Sequence, residues 1–294
     1  MSHHKEANRI PWHPGFVSAM ELELKEDAEY LVFDSEHELN KEPLSIDLLI
    51  IKKDPQVTIT NELGAYFKGY NILEYKSEQD GISIDDITKT IGYACLYKAY
   101  GSHVDEIKLT DITVTLTRRA KPVKALKQLK DLGYKVYLLS QGVYAIEGLQ
   151  FPLYIIVTKE LDITSHIWLS SLAKNLDIEH IRIFTEAAAT LTDKHDLILR
   201  DSMVEAIVPG NIPGFQALKE VSDMNDAVYQ IFKKEMDENW AEGKAEGKAE
   251  GKAEGIIETS KECGRTIADT VDRLMKKLGF TQEEAIREVN RLWV

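Results

Sequence analysis

Four side chains between positions 23 and 76 have the types and spacing that metal-assisted chemistry requires. Asp47 interrupts Leu44–Ile51, LSIDLLII, a run otherwise apolar enough for a strand covered on both faces. Glu74 and Lys76 stand either side of Tyr75 in YNILEYK. Residues i and i+2 of a strand point to one side, so this carboxylate and ammonium share a sheet face. Glu23 falls inside the apolar arc of the preceding helical segment, between Phe16 and Ala19, with Glu21 at the arc's border. A carboxylate on a buried face is costly without a cation or hydrogen bonds. If the two strands pair, two carboxylates and a lysine meet at one spot. Oxygen ligands of this kind suit a hard cation such as Mg²⁺ or Mn²⁺. A neighbouring lysine can orient a water there or help deprotonate it, and charge developing on a phosphate would be stabilised by the ion and the ammonium. The plainer alternative is a solvated Glu74–Lys76 pair on a strand face, with Asp47 capping a turn.

The elements that must hold these groups alternate between helical and strand periods. Phe16–Lys25 reads as a helix with Phe16, Val17, Ala19, Met20 and Leu24 on one side. Strands are expected at Tyr30–Phe33, Leu44–Ile51 and Tyr70–Tyr75. A helix follows, with Ile84, Ile87, Ile91, Ala94 and Cys95 on one face and Asp85 and Asp86 at its positive end. Ile112–Leu116 is a β-branched strand, and a helix opened by Pro122 carries Val123, Leu126 and Leu129 to Gly133. Tyr134–Leu139 and Leu153–Thr158 are strands again, with turns at Gly142 and Gly148. This order predicts an α/β domain over residues 1–160.

Residues 161–239 read as a helical region that includes Ile167–Leu176, Phe184–Leu191 and Phe215–Phe232. Ala241–Gly255 repeats AEGK, and each internal glycine costs about 0.8–1 kcal/mol of helix stability relative to alanine. Residues 240–255 are therefore expected to be a marginal helix acting as a spacer. The tail, 256–294, gives two more helices, the second opened by a Thr281–Glu284 capping box.

Asp plus Glu number 49 and Lys plus Arg 36, a net charge of −13. That excludes a uniformly basic nucleic-acid coat protein and leaves room for a local basic groove. Lys52, Lys53, Arg118 and Arg119 are the candidate phosphate contacts, whereas Lys124, Lys127 and Lys130 read as a solvated helix face. Lys89, Tyr93 and Tyr97 lie opposite their helix's apolar stripe, toward substrate, solvent or a neighbouring domain. Two distant cysteines, Cys95 and Cys263, argue against a disulfide framework and for a reducing, cytoplasmic setting. No apolar run nears the roughly 18 residues of a membrane helix. His3 and His4 read as solvated, and His166, His180 and His195 lack ligand spacing.

The pattern D-x(26)-E-x-K, with NKEPLSIDLLIIKK, NILEYKS and IDDITKTIGYACLYKA around it, resembles the PD-(D/E)XK nuclease superfamily. It is most similar to the Rpn-type branch of recombination-promoting nucleases and putative transposases, over Trp12–Glu160, and the AEGK repeats resemble the ends of such proteins. The resemblance implies a restriction-endonuclease-like central mixed sheet flanked by helices. It implies a Mg²⁺-dependent endonuclease that cleaves DNA, with a role in recombination or transposition. Asp47, Glu74 and the Tyr75 carbonyl would hold the metal, Lys76 would be the catalytic lysine, and Glu23, or alternatively Glu21, the first-helix carboxylate. Ile46 stands where the family carries proline. Two other readings share these residues: an inactive nuclease-like scaffold that self-associates through its C-terminal helices, and an RNA-directed nuclease.

Overall fold

The computed structural model describes residues 12–38, 45–54, 56–221 and 226–293, so His3 and His4 lie outside the described residues. The chain divides into two compact units, Met1–Phe232 and Lys233–Val294.

The first unit opens with α1 (Trp12–Glu23), which starts four residues before the apolar arc does. Pro14 sits in its first turn, where a missing N–H costs nothing. Strands β1 (Leu31–Glu38), β2 (Ser45–Lys52) and β3 (Tyr70–Lys76) follow, then α2 (Ile84–Ala99). Ser83 caps α2 reciprocally with Asp86: the Ser83 hydroxyl accepts from the Asp86 N–H at 3.2 Å, and the Asp86 carboxylate accepts from the Ser83 N–H at 2.9 Å. Next come β4 (Ile112–Arg118), α3 (Val123–Asp131), β5 (Lys135–Ser140), β6 (Val143–Glu147) and β7 (Leu153–Val157). Strand β6 is absent from the sequence expectation, because VYAI is too short for periodicity to separate it from the turns around it. Gly142, at φ +78°, makes the tight β5–β6 connection.

Among the described residues, seven strands form one mixed sheet in the order β1-β2-β3-β4-β7-β6-β5, so the expected α/β class holds. Pairing is antiparallel from β1 to β3, parallel across β3, β4 and β7, and antiparallel again through β6 to β5. The carboxyl ends of β3, β4 and β7 therefore share one edge, where open sheets with parallel strands place their ligands. Ile72, Val114, Leu116, Leu153 and Ile155 build the core together with Ile87 and Ala94 of α2 and Leu126 and Leu129 of α3. On the other face, Phe16 of α1 stacks on Tyr75 at 5.0 Å.

Helices α4 (Ile167–Ser170), α5 (Ile178–Thr190), α6 (Lys194–Ile207) and α7 (Ile212–Val221) complete this unit. The expected helix Ile167–Leu176 stops after one turn, and Asn175, at φ 52°, lies in the segment that follows. The region is continuous with the sheet rather than separate from it, since α1 packs on α4 and α6. A Cβ at Gly15 would come within 2.5 Å of Ala206 Cβ. The expected helix Phe215–Phe232 becomes α7 and the start of α8 (Asp226–Glu262), with residues 222–225 outside the described residues. Phe232 of α8 stacks on Phe215 at 5.1 Å.

Helix α8 runs unbroken through the AEGK repeats, so the marginal spacer is a continuous helix. Alanine, glutamate and lysine are good helix formers, and the more apolar turns that flank the repeats extend the same helix. In the second unit, Ala253 and Ile257 of α8 pack with Val271 and Leu274 of α9 (Ile267–Leu278) and Ala285 and Val289 of α10 (Gln282–Leu292). The expected Thr281–Glu284 capping box opens α10.

Candidate metal-binding site

Strands β2 and β3 pair from Ile51↔Tyr70 to Leu48↔Leu73. One further step of that register sets Asp47 opposite Glu74, and there the backbone ladder gives way to side chains. The Tyr75 N–H donates to Asp47 Oδ2 at 2.8 Å, and the Asp47 N–H donates to Glu74 Oε1 at 3.4 Å. The strands part at this point, and each carboxylate holds a backbone donor of the opposite strand. Two carboxylates thus meet at the carboxyl end of β3, as the sequence spacing anticipates.

Their electrostatics are unequal. Glu74 is 5% exposed. Burial and the Asp47 charge push its pKa up to about 7, against the pull of the Asp47 N–H, Lys76 and Lys89. A buried acid beside a second acid is a site short of positive charge. Lys76 shares the Glu74 face of β3, and its ammonium also pairs with Asp86 at 3.1 Å, tying the strand to the cap of α2. Lys89, three residues beyond Asp86 on α2, lies 5.2 Å from the centre of the Tyr93 ring. A hydrogen bond with Tyr93, and then the charges of Tyr93, Glu74 and Asp47, hold its pKa above the ordinary lysine value. On the other side His13 Nδ1 reaches Asp47 Oδ1 at 3.3 Å. His13, Val17, Ser18, Ser35 and Ser202 line a cavity of about 240 Å³ with Asp47 in its wall.

Glu23 is not brought to this place. Its carboxylate accepts the N–H groups of Trp168 at 3.1 Å and Leu169 at 3.2 Å, and meets His166 Nδ1 at 3.1 Å. Helix α1 puts Glu23 ten residues beyond His13, about 15 Å along the axis. Glu21 pairs with His195 at 3.0 Å, so neither carboxylate of the first helix joins Asp47 and Glu74. The cost of burying Glu23 is met by the start of α4 and a histidine, partners invisible in a helical wheel. Among the described residues, no group of three or more His, Cys, Asp or Glu side chains is arranged to hold a metal ion. The available donors are Asp47, Glu74 and the backbone carbonyl of Tyr75.

The four expected phosphate contacts are placed differently from one another. Lys52 and Lys53 follow Asp47 by five and six residues on the β2 line, about 17 Å or more away at the opposite edge of the sheet. Lys53 donates to the Glu29 carbonyl at 2.9 Å. Arg118 and Arg119 do stand at the site's edge, but their guanidinium groups serve the loop after β3. Arg118 donates to the Asp80 and Ala120 carbonyls at 2.6 and 3.1 Å, and Arg119 pairs with Glu78 at 2.9 Å. Tyr93 is buried in the core rather than turned outward, and half-buried Tyr97 rests against Tyr70 at 5.5 Å.

His13 is the residue sequence reading missed. Its signal was Trp12-His13-Pro14 as a first helical turn, which adds one further turn to the apolar arc and aligns His13 with Phe16 and Val17. Comparison of the chain with family models, with curated proteins and with solved structures finds no match.

Proposed function

We propose that the chain is a Mg²⁺-dependent endonuclease that hydrolyses phosphodiester bonds in DNA. The observation that carries this reading is the meeting of Asp47 and Glu74 where β2 and β3 part, with Lys76 and Lys89 close enough to act on Glu74. The resemblance to the PD-(D/E)XK superfamily, and its Rpn-type branch, supports the same reading and adds a role in recombination or transposition.

The donors fit a hard divalent cation: two carboxylates and the Tyr75 carbonyl are all oxygens, and a bound cation would offset the burial and the Asp47 charge that raise the pKa of Glu74. Bound there, Mg²⁺ would supply Lewis-acid stabilisation of the phosphate. The chain's own groups do the rest. Lys76, released from Asp86, orients the attacking water or draws off its proton. Lys89 faces the same carboxylates from α2 and is placed to neutralise charge on the scissile phosphate. His13 holds Asp47 Oδ1 from α1, in place of the helix carboxylate expected at Glu23.

The pairing of Lys76 with Asp86 and the distance of Glu23 favour one alternative, a nuclease-like scaffold without cleavage that self-associates through α8, α9 and α10. The free thiols Cys95 and Cys263 support a reducing, cytoplasmic setting for either. No helix among the described residues is long and apolar enough to cross a membrane.

The test is plasmid cleavage with Mg²⁺ by the wild type, Asp47→Ala and Lys76→Ala. Each variant is expected to lose about a hundredfold or more in rate. Cleavage that persists in both refutes the assignment, and a wild type inert with Mg²⁺ and Mn²⁺ leaves the scaffold.

A further inference from the structure

Helix α3, VKALKQLKD, carries Lys124, Lys127 and Lys130 at three-residue intervals on a chain whose net charge is −13. Its apolar side, Ala125, Leu126 and Leu129, is buried against the sheet. Beside it runs β5, which among the described residues ends the sheet and pairs with β6 alone. Between helix and strand lies a groove of about 280 Å³ bordered by Lys121, Lys127 and Lys130. No described carboxylate pairs with Lys127 or Lys130, whereas Lys121 and Lys135 have Glu160 and Glu147. Unneutralised ammonium groups held together on an acidic protein raise the local concentration of an anionic partner.

The rest of the groove is apolar and aromatic. Val123 and Leu138, 65% and 57% exposed, leave aliphatic surface in water at its mouth. Tyr137 supplies a half-buried ring fixed at its hydroxyl on Glu147, with Lys135 over one face at 4.8 Å, whereas Tyr144 is buried in the groove floor, held between Lys121 and Glu160. A double helix presents sugars and phosphates to such a surface and would leave Val123 and Leu138 wet. A single strand satisfies both parts, with phosphates on Lys127 and Lys130 and base faces on Val123, Leu138 and the free face of Tyr137.

We propose that the groove between α3 and β5 binds a single-stranded segment of nucleic acid. The proposal deepens the nuclease reading and rests on it, for it says where the substrate cut at Asp47 and Glu74 continues. The sheet order puts β5 four strands from β3, about 19 Å across. That is the span of about five or six stacked nucleotides.

The experiment uses the full chain carrying Asp47→Asn, so that the probe is not consumed, and follows a labelled oligothymidylate by fluorescence anisotropy at several salt concentrations. Adding Lys127→Ala and Lys130→Ala is expected to weaken binding at least tenfold at low salt. The slope of log affinity against log salt should shrink by about 1.4, two lysines at about 0.7 each. Leu138→Ser should weaken the single strand about threefold and leave a duplex of equal length unaffected. Unchanged affinity and slope in the lysine variant overturn the proposal, as does a duplex bound more tightly than the single strand. Lysine-dependent capture of phosphatidylglycerol vesicles without oligonucleotide binding overturns it too. Cleavage by the wild type, measured alongside, separates the two readings. Cleavage with an indifferent groove defeats the groove alone, and groove binding without cleavage defeats the nuclease and upholds the groove.

Discussion

Replacing His166 with glutamine should destabilise the protein in a way that depends on pH. The His166 side chain is 2% exposed, with Nδ1 at 3.1 Å from Glu23 Oε2 and Nε2 at 2.6 Å from Glu62 Oε1. Both ring nitrogens face carboxylate oxygens, so the ring is doubly protonated when both contacts are hydrogen bonds. Burial works against that charge, and the hydrogen bonds with Glu23 and Glu62 outweigh it, which lifts the His166 pKa above its ordinary value. Removing one member of a buried pair costs about 3–5 kcal/mol. Glu23 keeps the N–H groups of Trp168 and Leu169, and Glu62 is half exposed, so the low end, about 3 kcal/mol, applies. For a unit of this size, that lowers Tm by about 6–12 °C.

The sign of the pH dependence follows from the direction of the shift. A histidine whose pKa is higher folded than unfolded stabilises fully below its unfolded value, about 6.5, and the contribution fades as pH rises through the folded value. Urea unfolding of wild type and His166→Gln, followed by circular dichroism from slightly acid to alkaline pH, should give a gap that is widest near pH 6 and narrows upward. A gap constant with pH, or one that widens toward alkaline pH, would refute the assignment of an imidazolium between two carboxylates. Glu23→Gln should likewise cost stability, whereas a catalytic carboxylate would cost turnover with the fold unchanged.

Glu74 gives a pH slope of the same sign, from the burial of an acid rather than the pairing of a base. Its pKa is raised to about 7 by burial and by Asp47, so the metal-free protein should lose stability as pH rises from the unfolded value of about 4.5 toward 7, by about 3 kcal/mol at most. Saturating Mg²⁺ should flatten that loss and release up to one proton on binding near neutral pH; calorimetry in two buffers of different ionisation enthalpy reads it, and no difference between buffers contradicts it. In the second unit a Cβ at Gly251 or Gly255 meets nothing within 4 Å. Each Gly→Ala change there should stabilise α8 by about 0.8–1 kcal/mol, read by thermal unfolding, and a loss of stability would show that these glycines serve a close contact.

The part of the site legible in the sequence was local. Asp47 stood out because an acid in a strand apolar on both faces must have a partner, and alternation put Glu74 and Lys76 on one face whatever the fold. The α/β class followed from alternating periods, with β6 lost because five residues between two glycines carry too little pattern. What failed was long-range. Glu23 is satisfied by His166 and the start of α4, more than 140 residues away, and no periodicity within α1 reports such a partner. Arg118 and Arg119 were read as candidate phosphate contacts, yet the loop after β3 folds back on them. Lys127 and Lys130, read as a solvated face, line a groove only because β5 lies beside their helix. The AEGK segment shows that per-residue propensity is outweighed when its flanks extend the same helix.

The central claim is tested most directly by counting ions rather than products. Titration of Mn²⁺ into the full chain, with free ion read by electron paramagnetic resonance, should give saturable binding that Mg²⁺ displaces. Asp47→Asn and Glu74→Gln should each abolish it, and Glu23→Gln should leave it intact. Equal Mn²⁺ uptake by the wild type and both carboxylate variants, or loss of uptake in Glu23→Gln alone with the fold preserved, would contradict the site.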